Sequence, residues 1–350
     1  MSKLSGARPA SVAPPAAIDR IASTRPAVRD PDIPTLSAAL DPVELAREIS
    51  LLSPSQWPWG EPLEIRVEVL RWRAGNNCTF EIVVRTESGL HPLIGKVYAA
   101  DSEHVYRAMD KLRDAGFTRE AETSIPQPIA YVPLLNLLLQ EKVTGLAAKK
   151  IFGYGGQRLR AVAAERCARW LAQFHSLSPL SGPVRSVDKI LARSLRAAGV
   201  VSEKGGLLAN KAERLFDGLK AHASNLPTTP LRAGHGDFGS YHIVFADART
   251  VTIDWDLYDL ADPARDVARF IVSLERQALH RLSAPQAMDE ATRLFLQTYL
   301  ASGGSPVEVS LPFYKAAHCL KAAEWEVQAG DLQWRKWAEA MLDEGLRTLA

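Results

Sequence analysis

The stretch that decides the fold is His235-Gly236-Asp237-Phe238-Gly239-Ser240-Tyr241-His242-Ile243-Val244-Phe245, with its sequel Val251-Thr252-Ile253-Asp254-Trp255-Asp256. The first part reads as a polar loop entering a strand over 243–245. A turn at Asp247-Ala248-Arg249 returns the chain into a second strand that ends in acids. Such a hairpin brings two carboxylates, Asp237 and Asp254, to the same end. One can accept the proton of an attacking hydroxyl while the other holds Mg²⁺ against phosphates, an arrangement that suits phosphoryl transfer.

Working outward, the next element is Asp262-Pro263-Ala264-Arg265-Asp266-Val267-Ala268. Asp262 can cap a helix with Pro263 at its first position, which leaves Asp266 as a favourable charge near the helix N-terminus. Upstream, Leu63, Ile65, Val67 and Val69 alternate with charged residues. After the turn Gly75-Asn76-Asn77, the residues Cys78, Phe80, Ile82 and Val84 repeat the alternation, which predicts a β-hairpin. A third strand is expected over 93–98, an amphipathic helix over 102–115 and a further strand over 134–140. Beyond Gly145 the pattern is mostly helical. Leu159, Val162, Ala163, Trp170, Leu171 and Phe174 fall on one face of a long helix ending near His175. The chain therefore reads as a small β-rich front and a larger α-rich back, joined near 140–145.

The ordered set His-Gly-Asp-Phe, Ile-Asp-Trp-Asp and Asp-Pro-x-x-Asp-Val-Ala resembles the aminoglycoside phosphotransferase and choline kinase superfamily. The resemblance covers about residues 60–350. It implies an α+β, two-lobed, protein-kinase-like fold with a nucleotide-binding N-lobe over 41–143 and a C-lobe over 144–350. It also implies an ATP-dependent phosphotransferase (a kinase using ATP or GTP, with Mg²⁺ or Mn²⁺) acting on the hydroxyl of a small molecule. By position, Asp237 is the catalytic base of a loop that also contains His235, and Asp254 is the metal-binding acid. His235 and Asp266 brace that loop. Where the family usually has Asn, this sequence has His242. It could ligate metal, contact a phosphate oxygen, or mark the loss of a second metal site.

The resemblance extends to the front. Lys96, mid-strand in Ile94-Gly95-Lys96-Val97-Tyr98, is expected to meet the α/β-phosphates. The loop around Gly75 lies where the family covers the phosphates, although a plain hairpin turn reads equally well. The run Leu137-Leu138-Leu139-Gln140-Glu141-Lys142-Val143 resembles the segment between lobes, where the backbone of Gln140, Glu141 and Val143 would pair with adenine. Two other functions compete. One is a nucleotide-binding pseudokinase or scaffold with an altered metal site. The other is a metal-dependent hydrolase using His235, Asp237, His242 and Asp254 as ligands.

Bulk properties narrow the classes further. The length of 350 residues allows about two lobes. A net charge of +2 without a long basic block does not suggest nucleic-acid binding. Cys78, Cys167 and Cys319 are too scattered for a disulfide framework or a zinc site, which favours a cytoplasmic setting. No apolar run is long enough to span a bilayer, so no membrane partner is expected. Residues 1–40, rich in Pro, Ala, Ser and Arg, are expected to form a disordered tail. Trp170, Phe174 and His175 read as core, and Trp325, Trp334 and Trp337 as core or pocket lining. Glu324, Glu326 and Asp331 are candidates to meet a cationic acceptor, or else ordinary surface acids.

Overall fold

A computed structural model describes residues 29–350. Helices α1 (Leu36–Ala39) and α2 (Pro42–Ser50) come first, then strands β1 (Glu64–Arg73), β2 (Asn77–Thr86) and β3 (Gly89–Tyr98). Helix α3 (Glu103–Asp114) precedes β4 (Thr123–Ser124), β5 (Pro128–Val132) and β6 (Leu137–Glu141). After β7 (Leu146–Ala147) come α4 (Ala148–Tyr154), α5 (Gln157–Leu177), α6 (Val187–Ser202) and α7 (Gly206–Ala223). Short strands follow: β8 (Arg232–Gly234), β9 (Ile243–Ala246), β10 (Arg249–Thr252) and β11 (Asp259–Ala261). The chain closes with α8 (Ala264–Leu282), α9 (Asp289–Ala301), α10 (Leu311–Ala329) and α11 (Trp334–Leu349). This is a mixed α+β fold with a β-sheet in the N-terminal part and a mostly helical C-terminal part.

The chain divides into two compact units. The first comprises the described residues up to Tyr106 together with Pro128–Lys142. Its five-stranded sheet runs β1-β2-β3-β6-β5, with every neighbouring pair antiparallel. The period-two pattern does its work here: Phe80, Ile82 and Val84 of β2 join Leu93 and Val97 of β3 in a core covered by Leu36, Leu45 and Ile49. Helix α2 starts because the Asp41 carboxylate accepts from the backbone N–H of Val43 (2.8 Å) and Glu44 (3.3 Å), with Pro42 at the first position.

The expected tail needs a correction. Residues 1–28 lie outside the described residues, but 29–40 do not extend a structureless segment. Ile33, Leu36 and Ala39 recur at helical spacing and are buried in the first unit's core. The Asp30 carboxylate accepts from the Trp72 indole N–H (3.0 Å) and the Gly75 backbone N–H (2.9 Å), pinning the segment to the first hairpin.

The second unit comprises Arg107–Gln127 and Val143–Ala350. Its strands form a four-stranded sheet, β4-β10-β9-β7, and a separate pair, β11-β8. The lobe boundary expected after residue 143 is therefore too simple, because Arg107–Gln127 packs with the later chain. Phe117 lies against Trp170 (6.0 Å) and Phe174 (6.2 Å), the Trp170 indole donates to the Ser124 carbonyl (3.0 Å), and β4 pairs with β10. Helix α5 buries Ala163, Trp170, Leu171 and Phe174 as expected, together with Cys167, but Leu159 and Val162 are 58% and 49% exposed. The core of this unit is aromatic. Phe238 lies between Trp170 and Phe270, 5.5 Å from each, and Phe270 stacks on Phe295 at 4.1 Å.

Candidate active site

The site is built from the loop that leaves β8. Strand β8 pairs with β11, so Gly234 lies opposite Asp259, and Asp259 grips Arg265 of α8 through two hydrogen bonds of 2.7 and 2.6 Å. Asp262 accepts from the Ala264 N–H (2.8 Å) at the start of α8. This sets Asp266 under the loop, where its carboxylate accepts from the backbone N–H of His235 (2.6 Å) and Gly236 (3.0 Å). Burial by itself would raise the Asp266 pKa, but Arg265 and His175 outweigh it and hold the carboxyl well below the usual range. Gly236 is required by the turn. Its φ is +82°, and a Cβ there would lie 2.4 Å from the Leu257 carbonyl oxygen.

His235 is fully buried and both ring nitrogens serve the backbone. Nε2 donates to the Ile253 carbonyl (3.1 Å) and Nδ1 accepts from the Asp237 N–H (3.3 Å). Burial and then His242 lower its pKa, in keeping with a neutral ring. His235 thus fixes the loop against the strand leading to Asp254.

Asp237, His242 and Asp254 come together. His242 sits on a single 3₁₀ turn, Ser240–His242. Its Nδ1 lies 3.1 Å from the Asp237 carbonyl oxygen and 3.7 Å from Asp237 Oδ2, while Nε2 lies 3.2 Å from Asp254 Oδ2. Both ring nitrogens face oxygens, a geometry that two N–H donors satisfy. Asp254 has a φ of +69°, a conformation that Asp tolerates better than most residues and that marks a position held by its surroundings.

Two site residues escaped the sequence reading. Arg269 Nε donates to Asp237 Oδ1 (2.7 Å), and the Tyr241 hydroxyl donates to the same oxygen (2.7 Å). Arg269 also contacts the Tyr241 hydroxyl and lies over the Trp325 ring at 4.6 Å. Burial would raise the Asp237 pKa, but Arg269, His242 and the Tyr241 hydrogen bond prevail and keep it below the ordinary value. The remaining oxygen, Oδ2, faces the His242 ring. The signal for Arg269 was its position three residues after Asp266, which places both on one face of α8. Tyr241 had only its four-residue distance from Asp237.

The other expected site residues belong to other elements. Lys96, Gly75, Gln140 and Glu141 belong to the first unit, and Val143 opens the second segment of the second unit. Lys96 is 8% exposed on β3, opposite Thr79 on β2 and Leu138 on β6, with its ammonium 5.4 Å from the Tyr98 ring. Gly75 closes the hairpin with a φ of +69°, and its N–H is engaged by Asp30. Gln140 and Glu141 end β6, paired in register with Ile94 and Leu93.

The sheet of the N-terminal part and the helical C-terminal part match solved kinases, which gives the chain a protein-kinase-like fold. Residues 83–305 match the family described as the phosphotransferase enzyme family (APH), and the chain belongs to that family. Among solved structures, a choline/ethanolamine kinase family protein from Mesorhizobium loti is 15% identical, with a TM-score of 0.57 over 87% of this chain and 94% of that one. A choline kinase from Cryptosporidium parvum is 12% identical, with a TM-score of 0.57 over 85% and 90%. A thermostable mutant of aminoglycoside phosphotransferase APH(4)-Ia, in ternary complex with AMP-PNP and hygromycin B, is 16% identical, with a TM-score of 0.56 over 81% and 94%. A search of curated proteins returns no match.

Proposed function

We propose that this protein is an ATP-dependent small-molecule kinase, transferring the terminal phosphoryl group to an acceptor hydroxyl with Asp237 as proton acceptor and Asp254 as metal ligand. The observation that carries this reading is the junction of Asp237, His242 and Asp254 on a loop braced by Asp266, in a chain of the phosphotransferase family. The relative solved with AMP-PNP and hygromycin B supports a nucleotide donor and a small acceptor. Catalysis on this account is positioning and charge neutralisation. Arg269 and Tyr241 hold Asp237 as an anion and leave Oδ2 to accept from the acceptor hydroxyl. A carboxylate with a depressed pKa is a weak base, but a loose phosphoryl-transfer transition state asks mainly for an oriented hydroxyl.

Asp254 offers the hard oxygen donor that Mg²⁺ takes beside phosphates, a mode that needs only one or two carboxylates. The bound ion would neutralise phosphate charge. An imidazole is a poorer Mg²⁺ ligand, so His242 fits better as a hydrogen-bond donor to Asp254 or to phosphate. His242→Asn is therefore expected to keep turnover within about tenfold, the scale of one hydrogen bond, with Mg²⁺ or Mn²⁺. Steady-state kinetics with each metal checks this, and complete loss of turnover in a folded variant would assign His242 a specific role.

One observation favours a nucleotide-binding pseudokinase as a second reading: the candidate base is already paired with Arg269 and Tyr241. ATP-induced thermal stabilisation without turnover on any acceptor would select it. The metal-hydrolase reading is weakened because His235 has given both ring nitrogens to the backbone. Three free, buried cysteines support a reducing, cytoplasmic setting, and among the described residues no helix is long and apolar enough to cross a membrane.

A further inference from the structure

A cavity of about 120 Å³ opens beside Asp237, wholly within the second unit and lined from α6, α8 and α10. Its charge is lopsided. Arg193, Arg269 and Lys321 line it against one carboxylate, Asp237. That carboxylate is already matched by Arg269, and Lys321 pairs with Glu324 on its own helix. Arg193 is left over: an exposed residue, it makes no hydrogen bond or ion pair among the described residues. Its neighbours are more guanidiniums, from Arg185, Arg265 and Arg196. The nearby acid, Asp259, is engaged by Arg185 (3.2 Å) and by Arg265.

The other lining residues add no negative charge. His318 donates from Nε2 to the Arg265 carbonyl (3.2 Å), and burial together with Arg269 and Arg265 pulls its pKa down to about 3, so the ring is neutral. The Trp325 ring is a face that suits a cation, yet Arg269, Lys321 and Arg276 already lie 4.6, 5.7 and 5.9 Å from it. The acids that sequence offered for a cationic acceptor do not line the cavity. Glu326 is buried in pairs with Arg276 (2.5 Å) and His280 (2.8 Å), Glu324 serves Lys321, and Asp331 is exposed.

We propose that the acceptor is a small hydroxylated anion whose carboxylate or phosphate is taken by Arg193 while its hydroxyl meets Asp237. The inference rests on the phosphotransferase reading above. In the transfer, the acceptor O–H bond breaks and its proton passes to Asp237. A bond forms between the acceptor oxygen and the terminal phosphorus of ATP as that phosphorus leaves the bridging oxygen, releasing ADP. A cationic acceptor would have to enter a cavity whose one acid is already neutralised. An anion supplies the charged partner that Arg193, otherwise left to solvent, lacks.

The test uses the full chain with Mg²⁺-ATP and acceptors matched in skeleton but not in charge. The probes are glycerate and gluconate, glycerol 3-phosphate and glucose 6-phosphate, glycerol and glucose, and choline and glucosamine. ADP release and direct binding by calorimetry are both measured. The expected result is turnover in the carboxylate or the phosphate arm, at kcat/KM at least about tenfold above the neutral and cationic arms. Arg193→Gln is expected to raise the KM of the preferred anion by about tenfold, the loss of one charge-assisted hydrogen bond, with Arg193→Lys in between and the KM for ATP moved less than about twofold. Equal or better turnover of a neutral or cationic acceptor would overturn the proposal and leave the kinase reading standing. Arg193-dependent binding of an anion without turnover in any arm would keep the anion site and count against the kinase reading. Absence of both anion binding and anion turnover would overturn the proposal.

Discussion

Replacing Asp237 with Ala is expected to lower kcat/KM by about 10³-fold or more, the scale of a lost general base, while ATP binding survives. The separation follows from where Asp237 stands, on a loop of the second unit whose backbone is held by Asp266 and not by the Asp237 side chain. The variant carries one structural cost. Arg269, 5% exposed, loses its carboxylate partner, so stability is expected to fall by about 1–3 kcal/mol. Asp237→Asn separates the two effects, because its amide oxygen can still accept from Arg269 and Tyr241 while it cannot take the acceptor's proton. Turnover is therefore expected to be low in both variants, with Asn melting closer to the wild type. Wild-type turnover in either would remove the assigned base. A melting temperature unchanged in Asp237→Ala would contradict the pairing with Arg269.

The second large effect is on stability. Asp266→Ala strips the partner from two backbone N–H groups and removes an anion buried between Arg265 and His175. Breaking a buried charged network in this way costs about 3–5 kcal/mol. In a unit of this size, that lowers the melting temperature by on the order of 10 °C. Linkage gives the pH dependence. The folded Asp266 pKa is depressed below its unfolded value, so its contribution is fully present above about pH 5, shrinks as the unfolded carboxyl protonates near 3.9, and is lost as pH falls through the lower folded value. The stability gap between wild type and Asp266→Ala is thus expected to narrow on acidification. Denaturant melts at pH 7 and pH 4 measure it, and a gap that widens at pH 4 would contradict the brace.

What the sequence made legible was local. The capped start of α2 at Asp41, the first β-hairpin and the β9–β10 return could all be read, because each is decided within a few residues by capping, alternation and turn chemistry. Asp237 and Asp254 could be paired because a short hairpin leaves little freedom in where its ends lie. The rest depends on tertiary contacts that no local pattern encodes. Asp30 reaches Gly75 across 45 residues, and Phe117 joins the second unit because Trp170 and Phe174 receive it. Arg269 becomes the partner of Asp237 only when α8 is laid beneath the loop, 32 residues away in sequence. The acids noted in α10 were visible, but that Arg276, His280 and Lys321 consume them was not.

Whether Asp237 directs phosphoryl transfer to a hydroxyl is read by ³¹P NMR of the wild type and Asp237→Asn incubated with Mg²⁺-ATP and a hydroxylated acceptor. The wild type is expected to give ADP and one new phosphate monoester in equal amounts, and Asp237→Asn neither at a comparable rate. Monoester formed by Asp237→Asn at the wild-type rate, or ADP and inorganic phosphate released whatever the acceptor, would contradict it.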